Sequence, residues 1–209
     1  MLFIGDVHGK YGPYRRLMLS AGAPTIQVGD MGVGFQKLLH GEVVGEKNPP
    51  HYAMERGRHR FIRGNHDNPK VCRRHSQFIQ DGTIEGPIMF LGGAQSVDAA
   101  LRTEGLDFWV DEELSYKELY GLTGVYTDKK PEVMVTHDCP EEVAEALAAH
   151  TGRCKLHLQS RTRMALQSMW SAHSPKLWVF GHWHGSFDCV LRGTRFVCLD
   201  ELEMRNLTW

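Results

Sequence analysis

Residues 177–185 read LWVFGHWHG: four apolar residues, Leu177 to Phe180, that stop in Gly181 and two imidazoles, His182 and His184, one residue apart. A short apolar run bounded by glycine reads as a buried β-strand, and in an α/β fold the loop at its C-terminal end carries the chemistry. The same arrangement recurs along the chain. Leu2 to Ile4 runs into GDVHG, Thr25 to Val28 into GDMG, Arg60 to Ile62 into RGNHD, Ile88 to Leu91 into GGAQS, and Glu132 to Val135 into THDCP. Strands that each end in such a cluster predict an α/β fold with parallel or mixed sheets.

Helical patterns separate the strands. Pro13 followed by Tyr14, Leu17, Met18 and Ala21 gives an apolar stripe, and Pro140 before EEVAEALAAH places two Glu near a helix N-terminus. A longer helix is expected through Leu158, Thr162, Ala165, Leu166 and Met169, ended by Pro175. Cys189 to Leu191 and Arg195 to Leu199 around Arg-Gly-Thr read as a hairpin. The stretches Gly34 to His59 and Ser96 to Lys130 are less periodic and read as long loops with short helices. Their aromatic residues either bind something or pack the insertions onto the domain.

The 209 residues carry no repeat or linker, so a single domain over 1–209 is expected. With 42% hydrophobic and 23% charged residues, disordered and coiled-coil classes are poorly supported. Twenty-four Lys+Arg against 25 Asp+Glu argue against extended nucleic-acid binding, which needs many phosphate-neutralising cations. The 5 Cys form no CxxC pair, so neither a disulfide framework nor a zinc ribbon is suggested. Without a signal-like start or a long apolar stretch, a cytoplasmic protein with no membrane partner is expected. The 12 His stand out, because imidazole titrates near neutrality and is the commonest metal ligand.

Five of those histidines fall in the strand-end clusters. If the first strand continues through His8, Asp6 and His8 point to the same side. Asp30 again sets a carboxylate after strand and glycine. In Gly64-Asn65-His66-Asp67, Asn65 offers an amide oxygen to a metal and His66 can act as acid or base, while Asp67 either orients a neighbour or caps a turn. His137, His182 and His184 close the set. Strands ending on one edge would converge Asp6, His8, Asp30, Asn65, His137, His182 and His184, enough for two divalent ions sharing a bridging carboxylate. Oxygen and imidazole donors without thiolate favour Mn, first in order, with Fe, Zn, Co or Ni as the other choices.

In its blocks GDVHG (5–9), GD (29–30), GNHD (64–67), TH (136–137) and GHWH (181–184), the chain resembles the calcineurin-like metallophosphoesterase superfamily. GGAQSVD, Arg102 with the later Trp109-Val-Asp-Glu-Glu, and THDCP resemble a group of small bacterial and phage-borne members. The resemblance implies an αββα sandwich of two mixed sheets flanked by helices, with a dinuclear site at strand ends. It implies that Asp6, His8 and His184 hold one ion, Asn65, His137 and His182 the other, and Asp30 bridges, with His66 as the catalytic histidine.

The expected function is hydrolysis of a phosphomonoester or phosphodiester of a small molecule, a nucleotide above all, by attack of a metal-bridging hydroxide on phosphorus. His66, protonated, would stabilise the phosphoryl charge or donate to the leaving oxygen, and the Asn65 amide would also reach a phosphate oxygen. The protein Ser/Thr phosphatase branch extends the second block as GDxVDRG, whereas this chain reads GDMGVG with Val33 and Gly34 in the Asp and Arg places. That counts against phosphoprotein substrates and leaves the phosphate grip to other arginines: Arg102 first, then Arg63, Arg161 or Arg163. A nuclease of the same superfamily and a catalytically silent metal-binding scaffold for protein contacts are the alternatives. Cys139, two residues past His137, reads as an oxidation-sensitive neighbour of the site.

Overall fold

The computed structural model describes residues 1–40, 42–44, 48–152 and 159–209. Among these, twelve strands are formed: β1 (Leu2–Ile4), β2 (Thr25–Gln27), β3 (Lys37–Leu39), β4 (Glu42–Val44), β5 (Arg60–Phe61), β6 (Ile84–Glu85), β7 (Ile88–Leu91), β8 (Val133–Thr136), β9 (Leu177–Phe180), β10 (Phe187–Leu191), β11 (Thr194–Cys198) and β12 (Met204–Asn206). Six α-helices accompany them: α1 (Tyr11–Ser20), α2 (His51–Gly57), α3 (Pro69–Cys72), α4 (Tyr116–Lys129), α5 (Glu141–Thr151) and α6 (Arg161–Ala172).

Two mixed sheets result. One has the order β12-β1-β2-β5, the other β10-β11-β9-β8-β7-β6, and β3 and β4 pair as a separate hairpin. Within the first, β1, β2 and β5 are parallel, and within the second β7, β8, β9 and β11 are parallel; β12, β10 and β6 join antiparallel. Each apolar run divides its side chains between two cores because strand residues alternate faces. Ile88 and Phe90, Val133 and Val135, and Leu177 and Val179 pack with Phe3, Val28 and Ile62 between the sheets. Met89 and Leu91, Met134, and Trp178 and Phe180 face the opposite way, against Leu119 and Tyr126 of α4, Val143 and Leu147 of α5, and Leu166 and Met169 of α6. On the other sheet Ile4 and Phe61 pack on Tyr14 and Met18 of α1 and Met54 of α2. Burial on both faces is why these strands are uninterrupted apolar runs, and each fully buried side chain of this size contributes about 1.5–3 kcal/mol. The fold is an α/β sandwich of two mixed sheets, and no helix among the described residues is long and apolar enough to cross a membrane.

All six expected strands form, though β1 stops at Ile4. The stretch from Ser96 to Lys130 departs from expectation, because it contains the fourteen-residue α4. A capping box starts that helix: Ser115 Oγ accepts from Glu118 N, and the Glu118 carboxylate accepts from Ser115 N at 2.9 Å. Only Leu119 and Tyr126 of α4 are buried, so its apolar stripe is too thin to read as periodic. The expected hairpin forms between β10 and β11, with Arg192 and Gly193 at positive φ in its turn. In α6, Ser160 Oγ caps Arg163 N; Leu158, expected in this helix, lies outside the described residues. Cys72, Cys139 and Cys189 are free thiols, Cys198 Sγ donates to Gly181 O at 3.5 Å, and Cys154 is outside the described residues.

Candidate metal centre

The polar clusters sit where both sheets end, on tightly folded backbone. After β1 the chain turns instead of continuing, and Val7 N and His8 N both donate to Asp30 O, at 3.0 and 2.7 Å. Asp6 and His8 therefore come together through a loop anchored on the β2 cluster, correcting the expectation of strand alternation. His8, Asp30, His182 and His184 have φ of 49°, 55°, 68° and 49°. Such left-handed backbone costs about 1–3 kcal/mol per residue with a side chain and collects at functional sites. Glycines beneath the donors are required by space. A Cβ at Gly64 would overlap Asp30 Oδ1 and the His137 ring, and one at Gly181 would overlap Asp6 Oδ1.

Six of the seven expected donors fall into two groups whose ligand atoms lie within 4.8 Å of one another, Asp6, His8, Asp30 and His184, and Asp30, His137 and His182. Asp30 belongs to both. His8 Nε2 is 3.7 Å from both Asp6 Oδ2 and Asp30 Oδ2, and His184 Nε2 is 3.3 Å from Asp6 Oδ2 and 3.0 Å from His8 Nε2. His137 Nε2 is 3.3 Å from Asp30 Oδ1 and 3.2 Å from Asn65 Oδ1, which brings the seventh donor to the second group. His137 Nδ1 lies 2.8 Å from Val28 O, so this nitrogen donates to the carbonyl and Nε2 is the one aimed at the cluster. Trp183, between the two histidines of its block, donates Nε1–H to Asp138 Oδ1 and ties the β9 loop to the β8 loop.

The charges are unusual. Burial alone would push the Asp6 carboxyl up, but His184 and His8 bring it down to about 2. Burial acts likewise on Asp30, and His137 and His66 hold it well below the usual carboxylate range. Burial would depress His137, but Asp30 and Asp6 raise it to about 9. Among the described residues neither Asp6 nor Asp30 has a Lys or Arg ion-pair partner, although each is at most 1% exposed. Two buried ionised carboxylates whose partners among the described residues are imidazoles and the backbone N–H groups of His66 and His182 fit a cation, because buried charge is costly to leave uncompensated. The oxygen and nitrogen donor set without sulfur suits the first-row divalent ions named above.

His66 sits at the rim of this cluster, with Nε2 4.0 Å from Asp30 Oδ2. The Arg102 guanidinium lies on it, Nη2 to Nε2 2.7 Å, and Phe35 stacks on its ring with centroids 5.0 Å apart. Burial and Arg102 depress His66 to about 4 against the pull of Asp30, so the ring is neutral here, not protonated as expected. Arg63 goes elsewhere. It is 2% exposed and bonds Asp81 Oδ2 at 2.8 Å and the carbonyls of Asp111 and Glu112, a tie across the β5 and β7 ends that corrects its expected role on substrate. Asp67 is held by backbone: its carboxylate accepts from the N–H groups of Met31, Gly32, Val33 and Gly64. It clamps the Asp30 loop to the Asn65 loop, the turn-capping alternative in an extended form.

Sequence reading missed Phe35, and it missed Ser96 and Glu112, buried residues that reach Asn65 and Arg102 from the irregular insertion. GGAQS after β7 signalled Ser96, and Trp109-Val-Asp-Glu-Glu contains Glu112, but neither stretch was given a role at the site. Of the remaining histidines, His51 and His75 stack at 4.2 Å, His59 Nδ1 meets Thr25 Oγ1, His173 Nε2 meets Pro131 O, and His157 lies outside the described residues. Cys139 is fully buried and its thiol is pushed well above the ordinary value by burial, which makes it inert instead of oxidation-sensitive. A cavity of about 340 Å³ opens on the cluster, lined by His8, Lys10, Gly32, Phe35, His66, His184 and Glu201. A larger groove of about 840 Å³ beside α4 holds none of the donors.

No family model matches the chain, and no curated protein matches it. Among solved structures it is similar to one described as GAP50, the anchor in the inner membrane complex of Plasmodium, with 9% identity, a TM-score of 0.44, and coverage of 96% of this chain and 71% of that one. A likeness that distant carries no argument about function.

Proposed function

We propose that the chain is a dinuclear metal-dependent phosphoesterase of the calcineurin-like kind, acting on a small phosphorylated molecule such as a nucleotide. The observation that carries this reading is the pair of donor groups sharing buried Asp30, with no Lys or Arg among the described residues to neutralise it. Asp6, His8 and His184 would hold one ion, His137, His182 and Asn65 the other, and Asp30 would serve both. Two divalent ions bound there supply charge that neutralises phosphoryl oxygens and acidify water for attack on phosphorus.

The chain's own residues do the rest. His137, oriented by Val28 O, keeps its Nε2 toward the cluster. Arg102 supplies a permanent positive charge beside His66, where a phosphoryl oxygen arriving over Asp30 meets it. As that oxygen draws Nη2 away, His66 Nε2 would be free to take up a proton from water in the cavity and pass it to the leaving oxygen, a role worth about 10²- to 10⁴-fold in rate. Phe35, packed flat on His66, restricts the ring to that edge of the site. The modest cavity and near-neutral chain favour a compact substrate over a nucleic-acid duplex.

The test is to strip the protein of metal, reconstitute it with Mn, Fe, Zn, Co or Ni, and assay it on monoester, diester and nucleotide panels. Turnover that depends on added metal supports the reading; no turnover with any of the five overturns it. A nuclease would show steep loss of binding with rising salt.

A further inference from the structure

Behind the cluster lies a buried polar chain that none of the five motif blocks contains. Ser96 N donates to Glu112 Oε1 and Ser96 Oγ to Glu112 Oε2, both at 2.6 Å. Asn65 Nδ2 donates to the same Ser96 Oγ at 3.0 Å, and Arg102 Nη1 reaches it at 3.3 Å. Ser96 and Glu112 are 3% and 4% exposed, so water does not compete for these bonds.

A serine hydroxyl has one proton and two lone pairs. Burial raises the Glu112 carboxyl to about 7, so above that pH it is a carboxylate; in that form the hydroxyl proton is committed to it, and the lone pairs face Asn65 Nδ2 and Arg102 Nη1. The hydroxyl is saturated and its polarity is fixed. A flipped Asn65 amide would set its oxygen against an oxygen with no proton to give, and would turn N–H groups toward His137 and Asp30. The carboxylate therefore dictates, through one hydroxyl, that Asn65 Oδ1 faces the second donor group. The same hydroxyl, with Asp107 O, holds one arm of the Arg102 fork, while the other arm ion-pairs with Asp98 Oδ1 at 2.7 Å and lies on His66 Nε2. A planar guanidinium transmits that position rigidly.

We propose that Ser96, oriented by Glu112, is a positioning residue that fixes the Asn65 amide toward the second ion site and sets Arg102 against His66. The turnover part of this inference rests on the phosphoesterase reading; the metal-binding part does not.

Mn²⁺ titration of metal-stripped protein by calorimetry, with thermal melting of the same samples, tests it. Ser96→Ala is expected to weaken the second Mn²⁺ equivalent at least tenfold while the first stays within threefold, and Ser96→Thr, which keeps the hydroxyl, to restore it. Glu112→Gln keeps the size of the side chain but unties the hydroxyl proton, so it should also weaken the second equivalent selectively, and it decides the matter if Ser96→Ala does not fold. With a substrate from the panels, both variants should lower kcat more than they raise KM. Two equivalents bound as in the wild type overturn the proposal, as does parallel loss of both equivalents with the melting transition, or a wild-type protein that takes up fewer than two Mn²⁺. Two ions bound without turnover of any substrate would overturn the phosphoesterase reading alone, and the selective loss would still decide the positioning role.

Discussion

Asp67→Asn isolates the device that holds the two loops of the cluster together. The Asp67 carboxylate is fully buried; Oδ1 accepts from Gly32 N at 2.7 Å and Val33 N at 2.8 Å, and Oδ2 from Met31 N at 3.1 Å and Gly64 N at 2.8 Å. An asparagine keeps one oxygen and its two bonds. Its NH₂ must face two backbone N–H donors, which are then buried without partners. Hydrogen bonds to a charged group contribute about 1.5–3 kcal/mol each, so the loss is about 3–6 kcal/mol. Part of it is returned, because burial and the nearby Asp30 charge raise the Asp67 pKa and a neutral side chain escapes both. A net cost of about 3 kcal/mol remains, a large fraction of the ~5–15 kcal/mol that holds a domain folded. Urea unfolding of the metal-stripped variant should show the unfolding free energy lowered by that amount at unchanged slope, the midpoint falling by that energy divided by the slope. A change under about 1 kcal/mol would refute the clamp, and a variant of wild-type stability with no turnover would return Asp67 to the role of orienting a neighbour.

Other expectations follow from the same geometry. Arg63→Leu should destabilise the protein by about 3 kcal/mol in denaturant unfolding, because it strands the Asp81 carboxylate and two carbonyls at the β5 and β7 ends; a raised KM without loss of stability would instead place Arg63 on substrate. Lys10 lines the cavity and ion-pairs with Glu201 at its mouth. Lys10→Ala should raise KM several-fold with kcat nearly unchanged, and Glu201→Gln, which frees the ammonium, should lower KM; equal KM in both would remove Lys10 from substrate binding. His137 is raised to about 9 in the metal-free cluster, so it is protonated at pH 7 and must release that proton to bind an ion. Ion affinity should therefore rise with pH up to about 9, with proton release measurable in a pH-stat, and the stabilisation from this histidine in metal-free protein should be full below about 6.5 and fade as pH passes about 9; pH-independent uptake between 6 and 9 would contradict it.

The strands that build the site were legible because they are buried on both faces, which makes each a short unbroken apolar run ended by glycine. β6 and β12 were not, since Ile84–Glu85 and Met204–Asn206 are short edge strands whose polar residues reveal nothing until a partner is beside them. The donors were legible for a related reason: a residue one to four places past a buried strand has few places to go, and parallel neighbours bring such residues together. His8 reached the cluster by a different local path from the one expected, because a left-handed turn replaced strand alternation. Arg63 and Arg102 could not be told apart by motif proximity. Burial and a carboxylate partner decide that one is a structural tie, and only the tertiary path of the insertion brings the other to His66. Ser96 and Glu112 act at a sequence separation of sixteen residues across irregular backbone, where no periodicity marks which side chains meet.

The central claim is that two ions share Asp30. Anomalous scattering from crystals of the protein equilibrated with Mn²⁺ measures it directly. Two anomalous peaks are predicted flanking the Asp30 carboxylate, one also touching Asp6, His8 and His184 and the other Asn65, His137 and His182. A single peak, or peaks that leave Asp30 uncoordinated, would contradict the account.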